Sequence, residues 1–163
     1  MEKERGNEAF REGKFQRAVE AYSRSLGYEP QAPLVLSNRA ESHLRLKDYR
    51  RAMEDATAAL KLLPGHVKTL LRRGRAAAAS GRLRDALCDL TAALRIEPDN
   101  KRVQAELRKA REQRRAAMQR APKAPLQALA NASAARLQQE PPGSSTGDDE
   151  CAVHIPLELV YDL

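Results

Sequence analysis

Apolar positions along this chain come in short groups at helical spacing, and Arg, Lys or Glu interrupts each group before it grows long. The pattern repeats with a period of 34 from residue 1 to about residue 100. Gly6, Ala40 and Gly74 hold one small-residue position of the repeat, Ala18, Ala52 and Ala86 a second, and Ser25, Ala59 and Ala93 a third. Pro30, Pro64 and Pro98 hold a fourth. Small side chains let two helix axes approach closely, and a proline ends a helix because it lacks the amide hydrogen and restricts the residue before it. The period therefore predicts helical hairpins, joined internally by Glu12-Gly13-Lys14, Lys47-Asp48-Tyr49 and Ser80-Gly81-Arg82. The first (A) helices are expected near 2–12, 34–46 and 67–80, and the second (B) helices near 16–28, 50–62 and 84–96.

A single hairpin cannot bury its own apolar face, so three must stack, and the last exposed face then needs a cap. Asn100 is a good helix N-cap, and Val103, Leu107, Ala110 and Ala117 recur at helical spacing, which places a capping helix at 101–120. Residues 121–150 are rich in Ala, Pro, Gln, Ser and Gly and read as a flexible linker. In the last segment, 151–163, Val153, Ile155, Leu157 and Leu159 alternate with other residues at a period of two, as in an extended strand with no neighbour to pair with.

The four repeated positions resemble those of the tetratricopeptide repeat (TPR), in units of about 1–32, 33–66 and 67–100. The resemblance implies an all-α solenoid of three hairpins with a capping helix, a domain over 1–120. Composition agrees: 42% of residues are apolar, only 4% are aromatic and Trp is absent, which suits closely packed helices. No apolar run is long enough to cross a bilayer, and Met1 to Arg5 carry neither a secretory signal nor a transit sequence. A cytoplasmic protein, with the nucleus as a second compartment, is the expectation. Cys88 reads as a buried reduced thiol and Cys151 as a tail residue, so neither a disulfide framework nor a metal site is expected.

The net charge of +7 attracts acidic partners of any kind. More selective information lies on the A helices, which line the concave face of a TPR stack. Lys3 and Asn7 are four apart and share a face of the first, Lys68 and Arg72 share a face of the third, and Asn38 lies on the second between them. The set is similar to the carboxylate clamp of the co-chaperone TPR family. That resemblance implies that Lys3, Asn7, Asn38 and Lys68 hold the terminal carboxylates of a Glu-Glu-Val-Asp tail of the cytosolic 70-kDa or 90-kDa heat-shock chaperones. Arg72 would then address an upstream acidic side chain or the peptide backbone.

The chemistry is coherent by itself. Two carboxylates on one chain end need several donors, and Asn donates where a further cation would add repulsion. At roughly 1.5–3 kcal/mol per charge-assisted bond, a handful less the cost of ordering the peptide gives about −8 kcal/mol, or micromolar binding. Asn occurs only at positions 7, 38, 100 and 131, and two of the four fall on the clamp, which a merely solvated face does not explain. The basic residues of the cap, Lys101, Arg102, Arg108, Lys109, Arg111, Arg114 and Arg115, lack interleaved aromatics for base stacking and read as a solvated face.

The tail Val153-His154-Ile155-Pro156-Leu157-Glu158-Leu159-Val160 resembles that of the small TPR adaptor in the co-chaperone complex built on RuvB-like ATPases, a relative of RNA-polymerase-II-associated protein 3. The resemblance implies docking on a PIH-domain partner by strand addition; folding back on the solenoid is the competing expectation. Enzyme chemistry is not expected: His43, His66 and His154 are scattered, and neither a nucleophile elbow nor a phosphate-binding glycine loop is present. The sequence thus reads as a co-chaperone adaptor without cofactor or metal. The reading from a different class is a nucleic-acid-binding or general scaffold protein using the basic surface.

Overall fold

A computed structural model describes residues 1–120, which form seven helices. They are α1 (Glu2–Arg11), α2 (Phe15–Tyr28), α3 (Pro33–Arg45), α4 (Tyr49–Leu62), α5 (Val67–Ala79), α6 (Leu83–Ile96) and α7 (Lys101–Arg120). The linker and tail readings for 121–163 lie outside the described residues.

Each helix packs on its sequence neighbours, and the odd-numbered helices also touch one another, α1 with α3, α3 with α5 and α5 with α7. The even-numbered helices make no corresponding contact. A stack whose A helices are in contact while its B helices are splayed is curved with the A helices inside, so α1, α3 and α5 line the hollow.

The repeated small residues act as expected. A Cβ on Gly6 would sit 2.5 Å from a ring carbon of Tyr22, and one on Gly74 would sit 2.9 Å from Leu90. Tyr22, Ala56 and Leu90 hold one position of the repeat, so the middle hairpin can carry Ala40 where the outer two need glycine. Apolar side chains close the layers between hairpins: Ala18, Tyr22, Leu26, Val35 and Leu36 form one cluster, and Leu60, Val67, Leu70, Leu90, Val103 and Leu107 another. The residues before Pro30, Pro64 and Pro98 leave helical geometry, with φ of −135° at Glu29, −140° at Leu63 and −124° at Glu97.

Three details refine the expectations. Tyr49 opens α4 rather than lying in the link, because Asp48 accepts a hydrogen bond from the Arg51 amide at 3.1 Å and so starts the helix. The middle residue of the three between the helices of each hairpin, Gly13, Lys47 and Gly81, has φ of 76°, 60° and 81°, so Lys47 occupies a left-handed conformation that suits glycine. Cys88 is half-buried on α6, rather than fully buried as expected; Cys151 lies outside the described residues. Asn100 caps α7 as expected, its Oδ1 accepting from the amides of Arg102 and Val103 at 3.2 Å each. No helix among the described residues is long and apolar enough to cross a membrane.

Candidate functional site

Within the second and third hairpins, the interior arginines are consumed by structure. Arg39 forks onto Asp55 at 2.7 and 2.6 Å, and Arg73 forks onto Asp89 at 2.8 and 2.6 Å, one period later. Both pairs tie an A helix to its own B helix. Burial pushes the Asp89 carboxyl above its usual range despite its two bonds to Arg73, while the same bonds make Arg73 more basic. His43 is buried beside Asp55 and, through loss of solvent, titrates below an exposed histidine.

The hollow is organised differently. Tyr22 donates its hydroxyl to Asn7 Oδ1 at 2.7 Å, and Asn38 Nδ2 donates to the same oxygen at 3.3 Å. Arg72 Nη1 donates to Asn38 Oδ1 at 3.3 Å and to Ser37 Oγ, and its Nε donates to Glu41 Oε2 at 3.3 Å. Ser37 and Thr69 share a hydroxyl contact of 2.6 Å, and Thr69 Oγ1 is also 2.6 Å from His66 Nδ1. One relay thus runs from Tyr22 on α2 through α1, α3 and α5 to the cap residue of α5. Asn7, Phe10, Arg11, Tyr22, Asn38, Glu41 and Arg72 enclose a hollow of about 370 Å³.

The relay brings together three of the five side chains singled out from the sequence, Asn7, Asn38 and Arg72. Lys3 lies one helical turn before Asn7, and Lys68 one turn before Arg72, on the faces that carry those residues. Neither ammonium enters a hydrogen bond or ion pair among the described residues. Burial and then the charges of Arg72 and Lys68 hold the His66 imidazole below its usual value, so it is neutral near pH 7 and adds no charge to this end. The expected tail contacts Val153, Ile155, Leu157 and Leu159 lie outside the described residues.

Sequence reasoning missed Glu41. It is 7% exposed and receives three arginines: Arg72, Arg45 Nε at 3.2 Å and Arg75 Nη1 at 3.3 Å. Burial alone would raise the Glu41 carboxyl, but Arg75, Arg45 and Arg72 together hold it below its ordinary 4.5. Arg72 is less basic than an exposed arginine because of burial, with Glu41 opposing that effect. Arg45 also lies 5.8 Å from the centroids of both Phe10 and Phe15, whose rings meet edge-on at 5.3 Å. The arginine that sequence analysis reserved for a ligand therefore already has an internal acid. Glu41 gave no signal because its repeat position holds Asn7, Glu41 and Arg75, three unlike residues.

Among the described residues, no group of three His, Cys, Asp or Glu side chains could hold a metal ion, and every buried side-chain polar atom has a hydrogen-bond partner. The site holds more cationic donors than its one carboxylate can balance, which suits an anionic ligand.

Residues 3–67 match the tetratricopeptide repeat family. The chain is 36% identical over 107 residues to RNA polymerase II-associated protein 3 of Rattus norvegicus, a match covering 66% of this chain and 16% of the relative. Among solved structures it is similar to the second TPR domain of human RPAP3 in complex with the HSP70 peptide SGPTIEEVD. That match has 38% identity and a TM-score of 0.65, over 68% of this chain and 92% of that one. The first TPR of Spaghetti (RPAP3), bound to the HSP90 peptide SRMEEVD, gives 34% identity and a TM-score of 0.67, over 68% and 88%.

Proposed function

Because the chain belongs to the TPR co-chaperone family, we propose that it is an adaptor whose hollow binds the C-terminal Glu-Glu-Val-Asp peptide of cytosolic 70-kDa or 90-kDa heat-shock chaperones. The observation that carries this reading is the direct hydrogen-bonded sequence Asn7–Asn38–Arg72 with, one turn away at each end, a lysine that is unpaired among the described residues. Lys3, Asn7, Asn38 and Lys68 would hold the terminal carboxylates. The two asparagines have their amides oriented by neighbours, so little ordering is left for the ligand to impose. The similar RPAP3 domains bound to HSP70 and HSP90 peptides support the choice of ligand.

The matched part spans only 16% of the curated relative, so the assembly served by this chain is part of the proposal. Under it, the repeat domain 1–120 is tethered through 121–150 to a second contact at 151–163, where Val153, Ile155, Leu157 and Leu159 engage a PIH-domain partner. The alternation of those four residues favours that role over a passive terminus. The compartment is then the cytoplasm, where such chaperones reside, with the nucleus second.

Peptide anisotropy tests the first contact. A Glu-Glu-Val-Asp peptide should bind with a free C-terminal carboxylate and at least about tenfold more weakly as the amide, since the amide removes charge-assisted bonds; equal binding of the two forms would end the clamp reading. Deleting 151–163 should leave that affinity unchanged and abolish capture of a PIH-domain partner.

A further inference from the structure

Three guanidiniums converge on one carboxylate beside the clamp, and their donors are far from used up. Arg72 gives Glu41 only its Nε, Arg75 only its Nη1 and Arg45 only its Nε. None of the hydrogen bonds of the described residues uses Nη2 of Arg72 or Arg75, or either terminal nitrogen of Arg45. The cluster carries two positive charges in excess, and the side chains of Arg72 and Arg75 are only 18% and 25% exposed. Charges so sheltered are weakly screened, so an anion reaching them gains more than it would on an open surface. Contrast Arg39 and Arg73, whose forks onto Asp55 and Asp89 leave a neutral pair.

We propose that Glu41 organises Arg45, Arg72 and Arg75 into a second anion subsite, which takes the side-chain carboxylate of an acidic peptide residue upstream of the clamped chain end. The proposal rests on the clamp reading, because Arg72 is shared: it joins Asn38 on one side and Glu41 on the other. In this arrangement Glu41 is a positioning residue. It fixes three long side chains in place before the ligand arrives and keeps three like charges from repelling one another. Arg75 is the specific element, since Glu41 is its only partner among the described residues and it takes no part in the Asn7–Asn38 network.

A peptide-by-protein cycle tests it. Two peptides with free C-termini, one ending Glu-Glu-Val-Asp and one with both glutamates replaced by glutamine, are titrated against the full chain and against Arg75→Ala and Arg75→Lys. The expected result is about a five- to tenfold loss for Arg75→Ala with the glutamate peptide and almost none with the glutamine peptide. Arg75→Lys should recover part of the loss. Equal losses with both peptides would reduce Arg75 to general electrostatic attraction, and no loss with either would show that it does not meet the ligand; each overturns the subsite. Amidated versions of both peptides run alongside separate the two ideas. Insensitivity to the amide removes the clamp and the subsite with it, whereas amide sensitivity without coupling at Arg75 removes the subsite alone.

Discussion

The hairpin interiors and the hollow use the same residue types to opposite ends. Inside the third hairpin one guanidinium meets one carboxylate, Arg73 with Asp89, in a two-pronged geometry that balances charge one to one, and the remaining terminal nitrogen of Arg73 donates to Thr57. In the hollow one carboxylate is shared by three guanidiniums, each through one nitrogen, at longer distances of 3.2–3.4 Å. The proton affinities diverge accordingly: burial dominates at Asp89 and raises its carboxyl, whereas three cations outweigh burial at Glu41 and lower it. A single ion pair thus compensates desolvation incompletely and holds elements together, while a surplus of cations leaves capacity for something else. Paired arginines mark architecture here, and the arginines in surplus mark the proposed subsite.

The comparison breaks most visibly at Asp89. Asp89→Ala strands the buried Arg73 and should lower unfolding stability by about 3 kcal/mol, measured by urea denaturation. The folded fraction should still bind peptide with unchanged affinity, and a lost affinity would mean that interior and hollow are not separable. Glu41→Gln sharpens the contrast with a smaller effect, about 1 kcal/mol at neutral pH, as the arginines keep a neutral acceptor in place of an anion. Its pH signature is more informative. Because the folded Glu41 carboxyl lies below 4.5, its contribution is complete above that value and is lost as pH falls through the folded value. The difference in stability between wild type and Glu41→Gln should therefore shrink on acidification below about pH 4.5. The smallest effect belongs to neither region. Lys47→Gly relieves the left-handed backbone at φ 60° and should stabilise by about 0.5–1 kcal/mol without touching affinity.

The scaffold was legible because its rules recur. Gly6, Ala40 and Gly74, and the three prolines, stand 34 apart, and space behind each small residue is a local requirement that every hairpin repeats. Asn7, Asn38 and Arg72 could be brought to one face by helical spacing and repeat phase alone. Glu41 could not, since its significance arises only when α5 stacks on α3 and places Arg72 and Arg75, more than thirty residues away in the chain, against it. The same holds for Tyr22, which fills the space over Gly6 and also orients Asn7 through its hydroxyl. Lys47 deceived in a milder way, since a lysine carries no mark of the left-handed turn that Gly13 and Gly81 advertise.

Solenoids ordinarily behave as a row of shelves, each steadied by the next and indifferent to those farther off. The run of side-chain bonds from Tyr22 to His66 alters that here, because the outermost inner helices, α1 and α5, are coupled through Asn38 without touching. On the proposed reading, a visiting chain end would meet a floor tied together by hydrogen bonds from one end to the other.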